Sequence, residues 1–126
     1  MIAAYLHRLY DSIASRGYVE VMRLDFDELP DRQGSIEGRL KFYDGSLLDF
    51  DEVILYRDGQ LIKLRYAYHY QNKAGDVVFR YDNAPHYPNL ITYPHHKHIG
   101  SVVEPAKMPD LSEVLREIEQ LLFDAK

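Results

Sequence analysis

The chain contains no cysteine. That absence excludes disulfides, thiolate zinc sites and cysteine nucleophiles together, and it favours a reducing compartment. A long apolar run is missing as well. The N-terminal stretch MIAAYLHRLYDSIASRG is amphipathic, so neither a signal peptide nor a membrane span is expected there. A cytoplasmic protein with no membrane partner is the expectation. No repeat, low-complexity tract or linker interrupts the 126 residues, and one domain over 1–126 is predicted. No Gly-rich phosphate loop and no HExxH zinc pattern occurs. Proline is scarce outside one segment, because five of the six prolines fall in residues 83–109. Nor is there an excess of positive charge. The net charge of −5 argues against a generic nucleic-acid binder, which needs clustered Lys and Arg for phosphate.

What is present is unevenly spread. Residues 57–98 hold six basic residues (Arg57, Lys63, Arg65, Lys73, Arg80, Lys97) against three acids, a local +3 that leaves −8 for the rest. The same region holds most of the histidines. Four of six lie in the stretch FRYDNAPHYPNLITYPHHKH, residues 79–98, as His86, His95, His96 and His98.

Periodicity gives the elements. Ile2, Leu6, Leu9, Tyr10 and Ile13 recur at helical spacing, and Gly17 supplies a stop. From Tyr18 the period becomes two. Strands are predicted over 18–28, 36–43, 47–57, 60–71 and 77–82. Asp44-Gly45, Asp58-Gly59 and Lys73-Ala74-Gly75-Asp76 mark turns between them. Short turns mean antiparallel neighbours. Residues 83–109 fit no single long strand or helix; such a segment in a compact domain is usually functional or disordered, and its aromatic content argues against disorder. Asp110 reads as a helix N-cap with Glu113 completing a capping box, followed by an apolar stripe from Leu111 to Leu122. The fold class is α+β: an antiparallel meander sheet of about five strands with an N-terminal and a C-terminal helix packed on it. The tyrosine face of the fourth strand (Tyr66, Tyr68, Tyr70) would serve either as core or as a homodimer contact.

Alternation places Arg80 and Asp82 on one face of the last strand and Tyr81 on the other. The chain then enters the histidine-rich loop. If residues 95–98 are extended, His96 and His98 share one side, with His95 and Lys97 on the other. Three uses are open. A metal site would draw on His86, His96 and His98, with Asp82 as a further oxygen ligand for a divalent ion such as zinc. Metal-free acid–base chemistry on RNA would use histidines as acid and base, because their protonation changes near working pH. Arg80 would then fork onto phosphate, Asp82 would orient one histidine, and Tyr81, Tyr87 and Tyr93 would stack bases. A purely structural loop is the third use. Two outliers lie upstream. Glu52 falls in register with apolar residues, so it needs a partner or a cleft, unless a bulge near Asp51 turns it outward. His69 shares a face with Lys63 and Arg65, and it would join the site if the loop folds back.

The run Arg80-Tyr81-Asp82-Asn83-x-x-His86, followed by Pro94-His95-His96-Lys97-His98, resembles the TumE family of prokaryotic toxins. Asp44-Gly45-Ser46 and Tyr66-x-Tyr68-His69-Tyr70 are also similar to it. The resemblance implies a growth-inhibiting toxin with a cognate antitoxin, usually a helix-turn-helix protein. RNA cleavage follows by analogy with protein toxins of this size. The expectation is therefore a metal-independent endoribonuclease without a cofactor. Arg80, Asp82, His86, His96 and His98 would be catalytic, and Lys97, Tyr81, Asn83, His95, His69 and Glu52 would lie around the substrate. The alternative is a non-catalytic module whose loop 86–98 grips a metal ion or a partner protein.

Overall fold

The computed structural model describes residues 2–124. Its elements in chain order are α1 (Ile2–Ala14), β1 (Val19–Leu29), β2 (Gln33–Phe42), β3 (Leu47–Arg57), β4 (Gln60–Gln71), β5 (Val77–Asp82), β6 (His96–Ile99), β7 (Val102–Pro105) and α2 (Leu111–Phe123). The strands form one antiparallel sheet in sequential order, β1 through β7. The meander and the two flanking helices are as the alternation predicts. The strand count is corrected from about five to seven, because β6 and β7 lie inside the proline-rich segment. Each has only four residues, and Gly100 turns between them with φ +59°. Their sequence hid them because β6 is polar on both faces, so it carries no hydrophobic alternation.

Local chemistry explains the connections. Asp58 and Gly59 both take positive φ (54° and 74°), the geometry of a two-residue hairpin turn with the sheet's own twist. Asp110 accepts from the Glu113 N–H while the Glu113 side chain accepts from the Asp110 N–H, closing the capping box of α2. Gly38 in β2 has a packing reason. A Cβ there would stand 2.3 Å from the Phe50 ring, so only glycine lets that ring lie across the strand.

The two sheet faces differ. One carries Leu40, Phe50, Tyr68 and Phe79 against Leu9 and Ile13 of α1 and Leu115 and Ile118 of α2, in one buried cluster. Tyr66, Tyr68 and Tyr70 belong to that cluster, so the tyrosine stripe is core and not a dimer contact. The opposite face is open over β2 and β3, where Glu37, Arg39 and Asp51 are exposed. Glu52 sits on the helix-covered face and is fully buried. The bulge lies in β4, where Leu64 is the extra residue opposite Val53 and Ile54, so β3 runs on regularly through Glu52 and does not turn it outward. Tyr5 from α1 and Tyr68 both donate hydroxyls to Glu52, and Lys63 Nζ lies 3.5 Å from it. Lys63 also donates to the Pro109 carbonyl at 3.0 Å, just ahead of α2. Burial pushes both phenols up, with Glu52 adding to it, and pushes the lysine down.

Candidate active site

Register builds the site. In β5 and β6, Arg80 faces His98 and Asp82 faces His96, while β4 sets His69 beside Arg80 and Ala67 beside Asp82. The period of two puts Arg80, Asp82, His96, His98 and His69 on the open face. The extended form of residues 96–98 is the one realised.

Asp82 is the hub and is buried. Its Oδ2 accepts from Arg80 Nε at 3.0 Å, and its Oδ1 accepts from the Ala84 N–H at 3.0 Å. His96 Nε2 lies 2.9 Å from Oδ1 and His98 Nε2 lies 3.6 Å from Oδ2. The other nitrogen of His96, Nδ1, is 3.0 Å from the Pro94 carbonyl. Both ring nitrogens of His96 therefore face acceptors. His96 is only 1% exposed, so it holds Asp82 from within the protein. His98 is accessible, with a side chain 28% exposed. Burial lowers its affinity for a proton, and His96 and Arg80 lower it further against the opposing pull of Asp82.

The row continues on β4. Arg80 Nη1 is 3.3 Å from His69 Nδ1. A guanidinium only donates, so Nδ1 accepts, and the neutral ring carries its proton on Nε2. Burial, and then Arg80, push His69 below the usual histidine range. Tyr87 folds residues 83–95 back over the site. Its ring stands edge-on to His96 and His98, with centres 4.8 and 5.9 Å away. His86 follows, its ring 6.5 Å from that of Tyr87. Together Arg80, Asp82, His86, Tyr87, His96 and His98 line a cleft of about 580 Å³. A second trough of about 590 Å³ shares Asp51, Ala67 and Arg80 with it and continues past His69 to Arg39 and Arg23.

The model of one protein family, described as Toxin TumE, matches residues 6–122. The chain belongs to the TumE toxin family. Membership makes it the toxin component of a toxin–antitoxin pair and implies a cognate antitoxin. No curated protein and no solved structure matches it. The TumE match runs from α1 into α2, so it includes the cleft and both helices that back it. Among the described residues, no helix of this TumE chain is long and apolar enough to cross a membrane.

Five sequence candidates lie away from the cleft chemistry. Tyr81 and Lys97 face α2, where both bond Glu117. His95 stacks on Tyr66 and shares a 2.9 Å hydrogen bond with its hydroxyl, on the helix side. Glu52 is in the core. Asn83 touches the cleft rim, but its amide is spent on backbone. It accepts from the Tyr66 N–H at 3.1 Å and donates to the Leu64 carbonyl at 3.0 Å. It thereby continues the β4–β5 ladder past the end of β5. Conversely, Asp51 and Arg65 line the cleft and were not singled out for it. Partial desolvation of the otherwise exposed Asp51 raises its carboxyl against the pull of Arg80 and Arg65. Their signal in the sequence was the period of two, which turns Asp51 and Arg65 to the face away from their neighbours Glu52 and Tyr66.

Asp82, His96 and His98 are also the group best placed for a metal ion. One ligand atom from each lies within 4.8 Å of the others. The Nδ1 of His96 against a carbonyl fits that use, since metal-binding histidines commonly anchor their second nitrogen this way. His86 lines the same cleft but is not part of that group.

Proposed function

We propose that this TumE toxin cleaves RNA by metal-independent acid–base catalysis in the Asp82 cleft. The observation that carries the reading is the convergence of Arg80, His96 and His98 on Asp82, with His86 in the same cleft. The ring nitrogen of His98 that is not turned to Asp82, Nδ1, takes the proton of a ribose 2′-hydroxyl, whose oxygen attacks the adjacent phosphorus. Arg80 forks onto the non-bridging oxygens as charge builds there. His86 returns a proton to the departing 5′-oxygen. The products are a 2′,3′-cyclic phosphate and a 5′-hydroxyl. Asp82 and His96 keep Arg80 and His98 in place, and Tyr87 offers a ring for base stacking. The reading includes a cytoplasmic site of action and a helix-turn-helix antitoxin as partner.

Single-stranded RNA incubated with purified toxin tests it, with and without EDTA and beside DNA of the same sequence. Cleavage of RNA alone, unchanged by EDTA and leaving cyclic phosphate ends, is the expected result. The metal-ligand geometry of Asp82, His96 and His98 supports a second reading, and loss of cleavage in EDTA would select it. No cleavage at all would leave a binding module.

The pH profile is a further check. The folded site depresses proton binding by His98, so the base form persists below the ordinary value of 6.5. The acid limb of kcat/KM is expected below that value and not above it. A limb at or above it would remove His98 as the base.

A further inference from the structure

Tyr81 and Lys97 turn away from the cleft, yet each sits one residue from its central groups. They pair with each other across β5 and β6. On the helix side they converge on Glu117 of α2. Lys97 Nζ is 2.6 Å from Glu117 Oε2, and the Tyr81 hydroxyl donates to Oε1 at 2.6 Å. The ammonium also lies 4.8 Å from the centre of the Tyr81 ring and 5.3 Å from that of Phe79. Exposed ion pairs contribute little. This one is different in kind, because the Lys97 and Glu117 side chains are only 14% and 28% exposed and the lysine rests on two ring faces.

The clamp sits where the site is least supported. β6 has four residues, joins β5 through three register pairs, and on its other side meets only the four-residue edge strand β7. So few ladder bonds leave the roll and slide of the strand weakly fixed. Successive side chains of a strand point to opposite faces. Fixing residue 97 on the helix side therefore fixes 96 and 98 on the cleft side.

We propose that Glu117, acting through Lys97, is a positioning residue for the cleft. It holds β6 so that His96 stays on Asp82 and His98 faces the reacting atoms. α2 thus sets the geometry of the site from the far side of the sheet. The catalytic part of the test rests on the ribonuclease reading; the structural part does not.

The full chain is compared as wild type, Lys97→Met and Lys97→Arg. Methionine keeps an unbranched apolar stem over the rings and removes the charge, whereas arginine keeps the charge. Imidazole nitrogen shifts of His96 and His98 are recorded at one fixed pH, and kcat and KM are measured on a single-stranded RNA oligomer. Lys97→Met is expected to move both sets of shifts and to lower kcat about 10- to 100-fold with KM unchanged. Lys97→Arg should restore both. A merely structural clamp would lower the unfolding midpoint while shifts and kcat per folded molecule stay put, and that result overturns the proposal. If no form cleaves RNA, shifts that move still uphold the positioning while the ribonuclease reading fails. Should Lys97→Met not fold, Glu117→Gln carries the same measurements, since the amide oxygen still accepts from Tyr81.

Discussion

Arg80→Ala and His98→Ala are each expected to abolish growth arrest when the toxin is produced without its antitoxin, with the fold intact. Both side chains are partly exposed (40% and 28%), so truncation opens no sealed cavity. Loss of a general base lowers rate by about 10²–10⁴-fold. Loss of the guanidinium removes the cation proposed to fork onto phosphate, and it also frees Asp82 Oδ2 and His69 Nδ1. Growth curves after induction, with circular dichroism and protein abundance as controls, make the measurement. Full growth arrest in both variants would take the cleft out of the mechanism. His96→Ala is the less clean experiment. His96 is 1% exposed, so its removal leaves a void and strips a partner from buried Asp82. Activity and stability are expected to fall together there.

Glu52→Ala should give the largest loss of stability of any single change considered. The carboxylate joins α1 through Tyr5, β3 through its own strand, and β4 through Tyr68 and Lys63, and Lys63 reaches the approach to α2. No buried side-chain polar atom among the described residues lacks a partner. Removing the carboxylate leaves the Tyr5 and Tyr68 hydroxyls without their acceptor and the buried lysine, still bonded to the Pro109 carbonyl, without its counter-charge. Breaking a buried charged cluster in this way costs about 3–5 kcal/mol. Against a total stability of roughly 5–15 kcal/mol, that is a large share. Urea unfolding reads it directly. A midpoint equal to wild type would mean that the cluster contributes nothing. Activity per folded molecule should be unchanged, which separates Glu52 from the cleft residues.

The fate of Glu52 also marks the limit of sequence reasoning. Its register identified the face correctly, and the cost of burying a lone carboxylate demanded a partner. The partners are Tyr5, 47 positions away, and Lys63 and Tyr68 on the next strand. Nothing local names them. The same holds for Lys97. Its neighbours in the His95–His98 run made it look like one more cation at the site, but its acceptor is Glu117 on α2.

The sequence by itself determined the helix–meander–helix order, the five long strands, the turns and the α2 cap. Each of these is written in contacts between near neighbours: hydrophobic period, Asp-Gly geometry, a capping pair. It also determined that Arg80 and Asp82 share a face, and that His96 and His98 share one if extended. Only the tertiary structure decided that these two faces are the same one. That depends on β6 pairing with β5 in a single register, across a loop of thirteen residues from 83 to 95. A slip of one residue would have put Lys97 beside Asp82 and sent both histidines to the helices. The pairing is set by long-range contacts, among them Lys97 with Glu117 and Tyr87 over His96, whose partners no local pattern encodes.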